Sequence, residues 1–338
     1  MRIENTFGID VSARQVVKYA SEAELKAFLE RYHRETPQLP LLHIGSGSNL
    51  LFLSDFPGII LISGITDIKV LHEDDDSVLV SVGAGLTHDD FVQYAIRSGW
   101  YGLENLSLIP GQVGAAAVQN IGAYGMEAGN LITEVHTVSL SDGTCRLWKH
   151  SELAYSYRHS IFKEEGIRGR YAVCRVMYRL SKRFVPHLEY GGLRATVQAM
   201  QLQEEQLTAS QLRQIIIETR EKKLPDPKVL GSAGSFFMNP IVGLDVLHSI
   251  QREYPTVPFY TVDDGHVKIP AGWMIEQCGW KGRSLGPAAV HDKQALVLVN
   301  KGGATGQDIL RLCQAVQQSV FSKFGVQLSP EVIFIGQP

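Results

Sequence analysis

GLENLSLIPGQVGAAAVQNIGAYG, residues 102–125, carries five glycines, at 102, 111, 114, 122 and 125. It also carries Asn105, Asn120 and a run of alanines, and it has no Lys or Arg. Glycine loses more conformational entropy on folding than any other residue, so glycines this dense need a backbone reason. One reason is close approach of the main chain to something flat and largely uncharged, the ring end of a cofactor. A phosphate cradle would more often bring a cation, as the P-loop lysine does. Tight turns between strands are the other reading, and the stretch alone leaves both open.

The rest of the chain sets bounds on that choice. At 338 residues it is long enough for roughly two domains of about 150 residues each. A formal net charge of −3 gives no global pull toward nucleic acid or membrane, so anion recognition must come from local cations. No apolar run approaches the ~20 residues of a membrane-spanning helix. The opening residues, MRIENTFGID, have no apolar core of a signal peptide, and a cytoplasmic location is expected. Cys145, Cys174, Cys278 and Cys313 form no CxxC, which fits reduced thiols. The histidines include no HExxH, and no metal site is expected.

In chain order, residues 16–20 read as a strand, and Ser21 with Glu24 reads as a capping box opening a helix that places Leu25, Phe28 and Leu29 on one face. Strands follow at LLHI, LLFL and GIILIS. Two strands flank the acidic turn Asp74–Asp76, a solvated hairpin tip. Thr87 is expected to cap a helix that stops at Gly99. Beyond the glycine-rich stretch, a hairpin turns at Ser141-Asp142-Gly143, and 172–180 is another strand. Helices are expected over 193–201 and 208–223. Pro225-Asp226-Pro227 reads as a rigid linker. Helices at 244–254, 272–278 and 305–324, strand ALVLVN and a last strand EVIFIG complete the chain.

Four constellations carry possible chemistry. Gly45-Ser46-Gly47-Ser48-Asn49 follows a strand, but GSGSN is not GxGxxG and a strand follows it, so the dinucleotide fingerprint fails. Its N–H groups and hydroxyls could still form a nest for pyrophosphate; a plain turn is the alternative. Arg158, in YSYRHSIFK, is either a partly buried structural ion pair or a clamp for carboxylate or phosphate. Ser232 and Ser235 lie in GSAGSFFMNP, which contains no nucleophile elbow. Glu331 precedes the apolar final strand, where a carboxylate is either exposed or buried for a purpose.

The order and wording of NTFGID, IGSGSNLLF, GLENLSLIPGQVGAAAVQNIGAYG, YRHSIFK, KLPDPK, GSAGSFFMNP, AGWMIEQC and PEVIFIG closely resemble the UDP-N-acetylenolpyruvoylglucosamine reductases, flavoenzymes of bacterial peptidoglycan precursor synthesis. The resemblance spans about Asn5 to Gly336. FVPHLEYGGL is similar to the tyrosine-bearing loop of one subgroup. The resemblance implies an α+β fold: a split, two-part FAD-binding module of the vanillyl-alcohol-oxidase type and a separate α+β substrate domain. The implied boundaries are 1–64, 65–224 with a return strand in 325–338, and 225–324.

By the same resemblance, NADPH reduces FAD and leaves, and UDP-N-acetylglucosamine enolpyruvate takes its place. Flavin N5 passes hydride to the vinyl carbon, and a proton completes UDP-N-acetylmuramate. The catalytic positions would be Arg158 as the cation facing the enolate-like charge, Ser235 as proton donor and Glu331 as acidic partner. Gly45, Ser46, Gly47, Ser48, Asn49 and Leu50 would take the FAD pyrophosphate. Gly111, Gly114, Ala116, Asn120, Gly122, Tyr124 and Gly125 would lie along the FAD. Tyr190, Lys223, Asn239 and Gln277 would hold the uridine diphosphate. Met238 stands where the family pattern often has Lys, and Ala115-Ala116 where a Ser-Ser pair is common. A monomer without nucleic-acid or membrane partners is expected. An FAD oxidase of another substrate, or a sugar-nucleotide binding protein without catalysis, are the alternatives.

Overall fold

A computed structural model describes residues 1–190 and 192–336, which pack as two compact units. The first comprises Met1 and residues 13–46 and 57–222; the second comprises residues 2–12, 47–56 and the chain from Lys223 onward.

The first unit is built around a five-stranded antiparallel sheet. Its order is Cys145–Lys149, Ile132–Ser139, Tyr171–Ser181, Ser77–Gly83 and Ile68–Glu73. Each face of this sheet carries a core. On one, Val78, Val80 and Val82 pack with Phe91, Val92 and Ala95 of helix His88–Arg97 and with Trp148, Val176 and Tyr178. On the other, Val138, Ala172 and Cys174 pack with Leu25, Phe28, Leu29 and Tyr32 of helix Glu22–Glu35. Simple alternation would put residues 172, 174, 176 and 178 on one face. A bulge between Val173 and Arg175 adds a residue, so the even-numbered side chains face one core at Ala172 and Cys174 and the other at Val176 and Tyr178. A smaller sheet, ordered Ala13–Tyr19, Phe56–Ser63, Leu41–Ile44, supports the first helix.

Ser21 caps the helix as expected, with Glu24 N donating to Ser21 Oγ at 3.1 Å, but the box is not reciprocal: Glu24 Oε2 accepts from Ala20 N at 2.7 Å, one residue before the cap. The Asp74–Asp76 tip and the Gly99 stop are also found, Gly99 at φ +75°. Thr87 does not cap. It stands at the N-cap of His88–Arg97, but its side chain makes no capping bond. Asp89, in the first turn, forms an ion pair with Arg213 of helix Ala209–Lys223, at 2.6 and 2.8 Å.

The second unit holds a four-stranded antiparallel sheet, Gly231–Ser232, Leu298–Asn300, Ala288–Val290 and Ser284–Leu285. Helix Gly306–Phe324 opens on the reciprocal Thr305–Asp308 box. A three-stranded sheet, Ile241–Gly243, His266–Lys268, Tyr260–Thr261, was not foreseen. Its strands are two or three residues long, too short to show a period.

The expected boundaries need two corrections. Segment 1–64 is not a unit, because 2–12 and 47–56 pack with the C-terminal part of the chain. The return strand Ile333–Ile335 pairs in parallel with Leu50–Phe52, not with the 65–224 sheet. Leu51 and Phe52 are fully enclosed, and an apolar strand with no exposed face needs a partner in its own core.

Candidate active site

The glycine-rich stretch lies in the first unit and is not all turn. Val113–Gln119 forms a two-turn helix ending at Asn120, which is left-handed at φ +45°. The five glycines divide by physical need. Gly102, Gly111 and Gly125 have φ of +119°, +118° and +82°, open to few other residues. Gly114 and Gly122 instead permit close approach. A Cβ at Gly114 would lie 2.8 Å from the Ala84 Cβ, and one at Gly122 would lie 2.7 Å from Arg158 Nη1. Ala116 is buried inside the helix with its N–H donated to Gln112 O. A Cβ on Gly45 would meet Gln112 and Ala115 at 3.2 and 3.3 Å, so Gly45 packs on the start of the same helix.

Buried polar side chains tie the stretch down. Asn105 Nδ2 donates to Tyr124 O at 2.9 Å and to His187 O at 3.0 Å, joining the chain near Gly125 to the segment that carries Tyr190. A Cβ at Gly125 would lie 3.2 Å from that of Tyr190. Asn120 commits its amide within the protein. Nδ2 donates to Glu127 Oε2 and to Ser156 O, both at 2.8 Å, and Oδ1 accepts from Gly129 N at 2.8 Å.

Arg158 converges on this frame. It occupies the third position of the turn Ser156–His159, whose end residues exchange N–H···O bonds at 2.9 and 3.3 Å. Its φ is +55°, where Gly or Asn is the usual occupant. Such a conformation costs about 1–3 kcal/mol and persists only where its surroundings over-determine it. Here the guanidinium Nη2 donates to Gly122 O at 2.6 Å, and the group lies 5.2 Å from the Tyr157 ring centre.

Sequence reasoning missed a second cation, Arg220, on helix Ala209–Lys223. It lies within electrostatic range of Tyr124, Asp89 and Arg158, and burial pushes its guanidinium below the ordinary range. Its Nε is enclosed with no hydrogen-bond partner among the described residues. A buried donor left unpaired costs about 1–3 kcal/mol, so this position suits an acceptor-rich, anionic ligand. The residues present therefore fit FAD. One available signal was helical spacing: Arg213 and Arg220, seven apart, share the face that carries Ile216 into the core.

In the second unit, Ser235 and Glu331 lie on adjoining chain segments. Glu331 N donates to Phe236 O at 2.8 Å, Phe237 bridges Pro330, and Met238 N donates to Ser329 O at 2.9 Å. Ser235 is exposed after Gly234 (φ +69°), while Phe236 and Phe237 are buried behind it. Glu331 is half-buried. Asn49 is fixed to it, its Nδ2 donating to Glu331 O at 3.2 Å and its carbonyl accepting from Ile333 N at 3.0 Å. Asn239 and Gln277 stand at opposite ends of one short helix. Asn239 Oδ1 accepts from Ala271 N at 2.9 Å, and Gln277 ends Ala271–Gln277. Lys223 is exposed. Met238 brings no charge, but Lys268 pairs in register with Ile241 and Tyr260 on the adjacent three-stranded sheet, a cation that sequence reasoning passed over. Arg158 belongs to the first unit, Ser235 and Glu331 to the second.

Two family models match the chain: an FAD binding domain over residues 13–147, and the C-terminal domain of UDP-N-acetylenolpyruvoylglucosamine reductase over 226–335. The reductase of that name from Bacteroides fragilis is 53% identical over 331 residues, covering 98% of this chain and 97% of the relative. The chain belongs to the UDP-N-acetylenolpyruvoylglucosamine reductase family. The Porphyromonas gingivalis reductase is 46% identical over 333 residues, 98% of this chain and 96% of its own. The crystal structure of the reductase from Thermus caldophilus shares the fold, with a TM-score of 0.66 at 24% identity over 98% of this chain and 96% of that one. Membership explains why the motifs run in order through the whole chain, and with the FAD-domain match over residues 13–147 it makes FAD the cofactor.

Proposed function

We infer that the chain reduces the enolpyruvyl ether of UDP-N-acetylglucosamine enolpyruvate to UDP-N-acetylmuramate, with NADPH as reductant, and so supplies a peptidoglycan precursor. Identity of 53% across nearly the whole of both chains, to a reductase of this name, carries the reading. When bound, FAD would supply hydride transfer from NADPH to the vinyl carbon of the nucleotide. The chain's own residues orient the reactants and handle charge and protons.

Arg158 is the cation for the substrate carboxylate, where negative charge grows as the double bond is reduced. A guanidinium suits a planar carboxylate, and a fixed donor costs no reorganisation at the moment of reaction. Ser235 donates the proton; its exposure on a turn backed by two buried phenylalanines supports that role. Glu331, as the protonated carboxyl, donates a hydrogen bond to the developing charge, on a backbone braced by Asn49 and Phe236. Tyr190, Lys223, Asn239 and Gln277 hold the uridine diphosphate, and Gly45–Leu50 takes the FAD pyrophosphate. Both substrates are soluble nucleotides, which supports a cytoplasmic site of action.

The test is NADPH oxidation by the purified holoenzyme, with and without the enolpyruvyl nucleotide. Nucleotide-dependent turnover is expected. In S235A, flavin reduction by NADPH should persist while nucleotide reduction falls about 10²–10⁴-fold, the usual worth of a general acid. An equal fall in both half-reactions would remove Ser235 from this role.

A further inference from the structure

We propose that Lys163 is a positioning residue for Arg158: its ammonium holds the Arg158 carbonyl and so maintains the left-handed backbone that aims the guanidinium. This rests on the reading of Arg158 given above.

Lys163 Nζ donates to Arg158 O at 2.7 Å and to Gln119 Oε1 at 3.3 Å. It ends the short turn Ile161–Lys163. That turn follows Ser160, which is fully buried and donates its hydroxyl to Val118 O at 2.6 Å. Two consecutive residues at the end of helix Val113–Gln119 thus receive bonds from the segment beyond Arg158. The next residue, Asn120, holds the segment before it, through Ser156 O. The turn bearing Arg158 is gripped on both sides by one helix terminus.

A lysine suits this place for a physical reason. The C-terminal end of a helix presents unpaired carbonyls and partial negative charge, which favour an ammonium. Its flexible stem and three donors let one group bond both an amide oxygen and a main-chain carbonyl. Without that donor, residue 158 keeps an unfavourable φ with one fewer restraint, and the turn can relax. The guanidinium would then leave Gly122 O.

The experiment compares K163M, K163R and R158Q as FAD-loaded proteins, with the two half-reactions followed by stopped-flow absorbance. R158Q should slow nucleotide-driven reoxidation of the flavin about 10²–10³-fold, as loss of a charge-stabilising donor does. K163M should slow the same step about 10- to 100-fold, the scale of a misplacement of up to 1 Å. Its FAD content should match wild type, and NADPH-driven reduction should stay within about twofold of wild type. K163R should recover part of the loss. A crystal structure of K163M should show residue 158 moved out of the left-handed region. If R158Q is slow and K163M reoxidises like wild type, the inference is wrong and the Arg158 reading stands. If R158Q is also unaffected, both fall. Equal loss in both half-reactions of K163M, with loss of FAD, would mark a general structural role and also overturn the proposal.

Discussion

Gly122→Ala tests the link between the glycine-rich stretch and Arg158. Gly122 does not have a left-handed φ, so alanine brings no backbone strain, and the cost is steric. The added Cβ would lie 2.7 Å from Arg158 Nη1, 2.8 Å from Met126 O and 3.0 Å from Glu127 Cγ. Ordinary contacts begin near ~3.5 Å, so the shortfall at the guanidinium is about 0.8 Å. Met126 O is main chain on the facing strand of the 122–127 hairpin and resists displacement. The guanidinium is the end of a flexible side chain and yields, bending or breaking its bond to Gly122 O. Overpacking of this kind costs about 1–3 kcal/mol of stability. A displacement approaching 1 Å should slow nucleotide reduction about 10- to 100-fold. Thermal denaturation and the two half-reactions on the FAD-loaded variant measure both effects. The reasoning fails if nucleotide reduction stays at the wild-type rate while stability drops, because the backbone then absorbed the clash. It fails equally if FAD is lost, because the clash would then lie against the cofactor.

Two predictions concern buried groups that change charge with pH. His88 is fully enclosed with neither ring nitrogen partnered among the described residues, and burial lowers its pKa to about 4 from an unperturbed 6.5. Its contribution is present above pH 6.5 and is lost as pH falls through about 4, up to about 3 kcal/mol. His88→Leu should flatten that part of the stability–pH curve in denaturant titrations from pH 7 to 4; an unchanged slope would remove His88 as its source. Glu104 is buried, Oε2 accepting from Gly102 N at 2.9 Å and Oε1 without a partner among the described residues, and burial raises its pKa. A raised carboxyl stabilises the fold at low pH, and that stability is lost as pH rises through the folded value. Glu104→Gln keeps an acceptor for Gly102, so its Tm relative to wild type should be higher at pH 8 than at pH 5. The opposite trend would mean that the carboxylate is stabilised in the fold.

The legible elements were those whose signals are local. Ser21–Glu24 and Thr305–Asp308 are caps three residues apart, and the acidic and Ser141–Gly143 turns carry their own geometry. The helix Val113–Gln119 was not legible. It has a glycine inside, no paired charges and only seven residues, too few to be stable alone. It exists because Val113, Ala116 and Ala117 are buried and because Asn120, Ser160 and Lys163 bond to its end. Helical spacing puts Arg220 on the face of Arg213 and Ile216, but spacing does not tell an enclosed cation from a solvated one; burial in the fold does. The pairing of Leu50–Phe52 with Ile333–Ile335 was hidden for a different reason. Two three-residue apolar strands some 280 residues apart contain nothing that names their partner.

By itself, the sequence determined the family and the reaction class, because motif order through the chain survives without knowledge of any contact. It also showed that the glycines of 102–125 had a backbone purpose. Only the tertiary structure decided what that purpose is at each position: a left-handed turn at 102, 111 and 125, and room for another residue at 114 and 122. It also decided that Arg158 is aimed by Gly122, 36 residues before it. A glycine records only that a side chain is forbidden. Whether φ or a neighbour forbids it depends on which segments the fold brings together, and that information is not local.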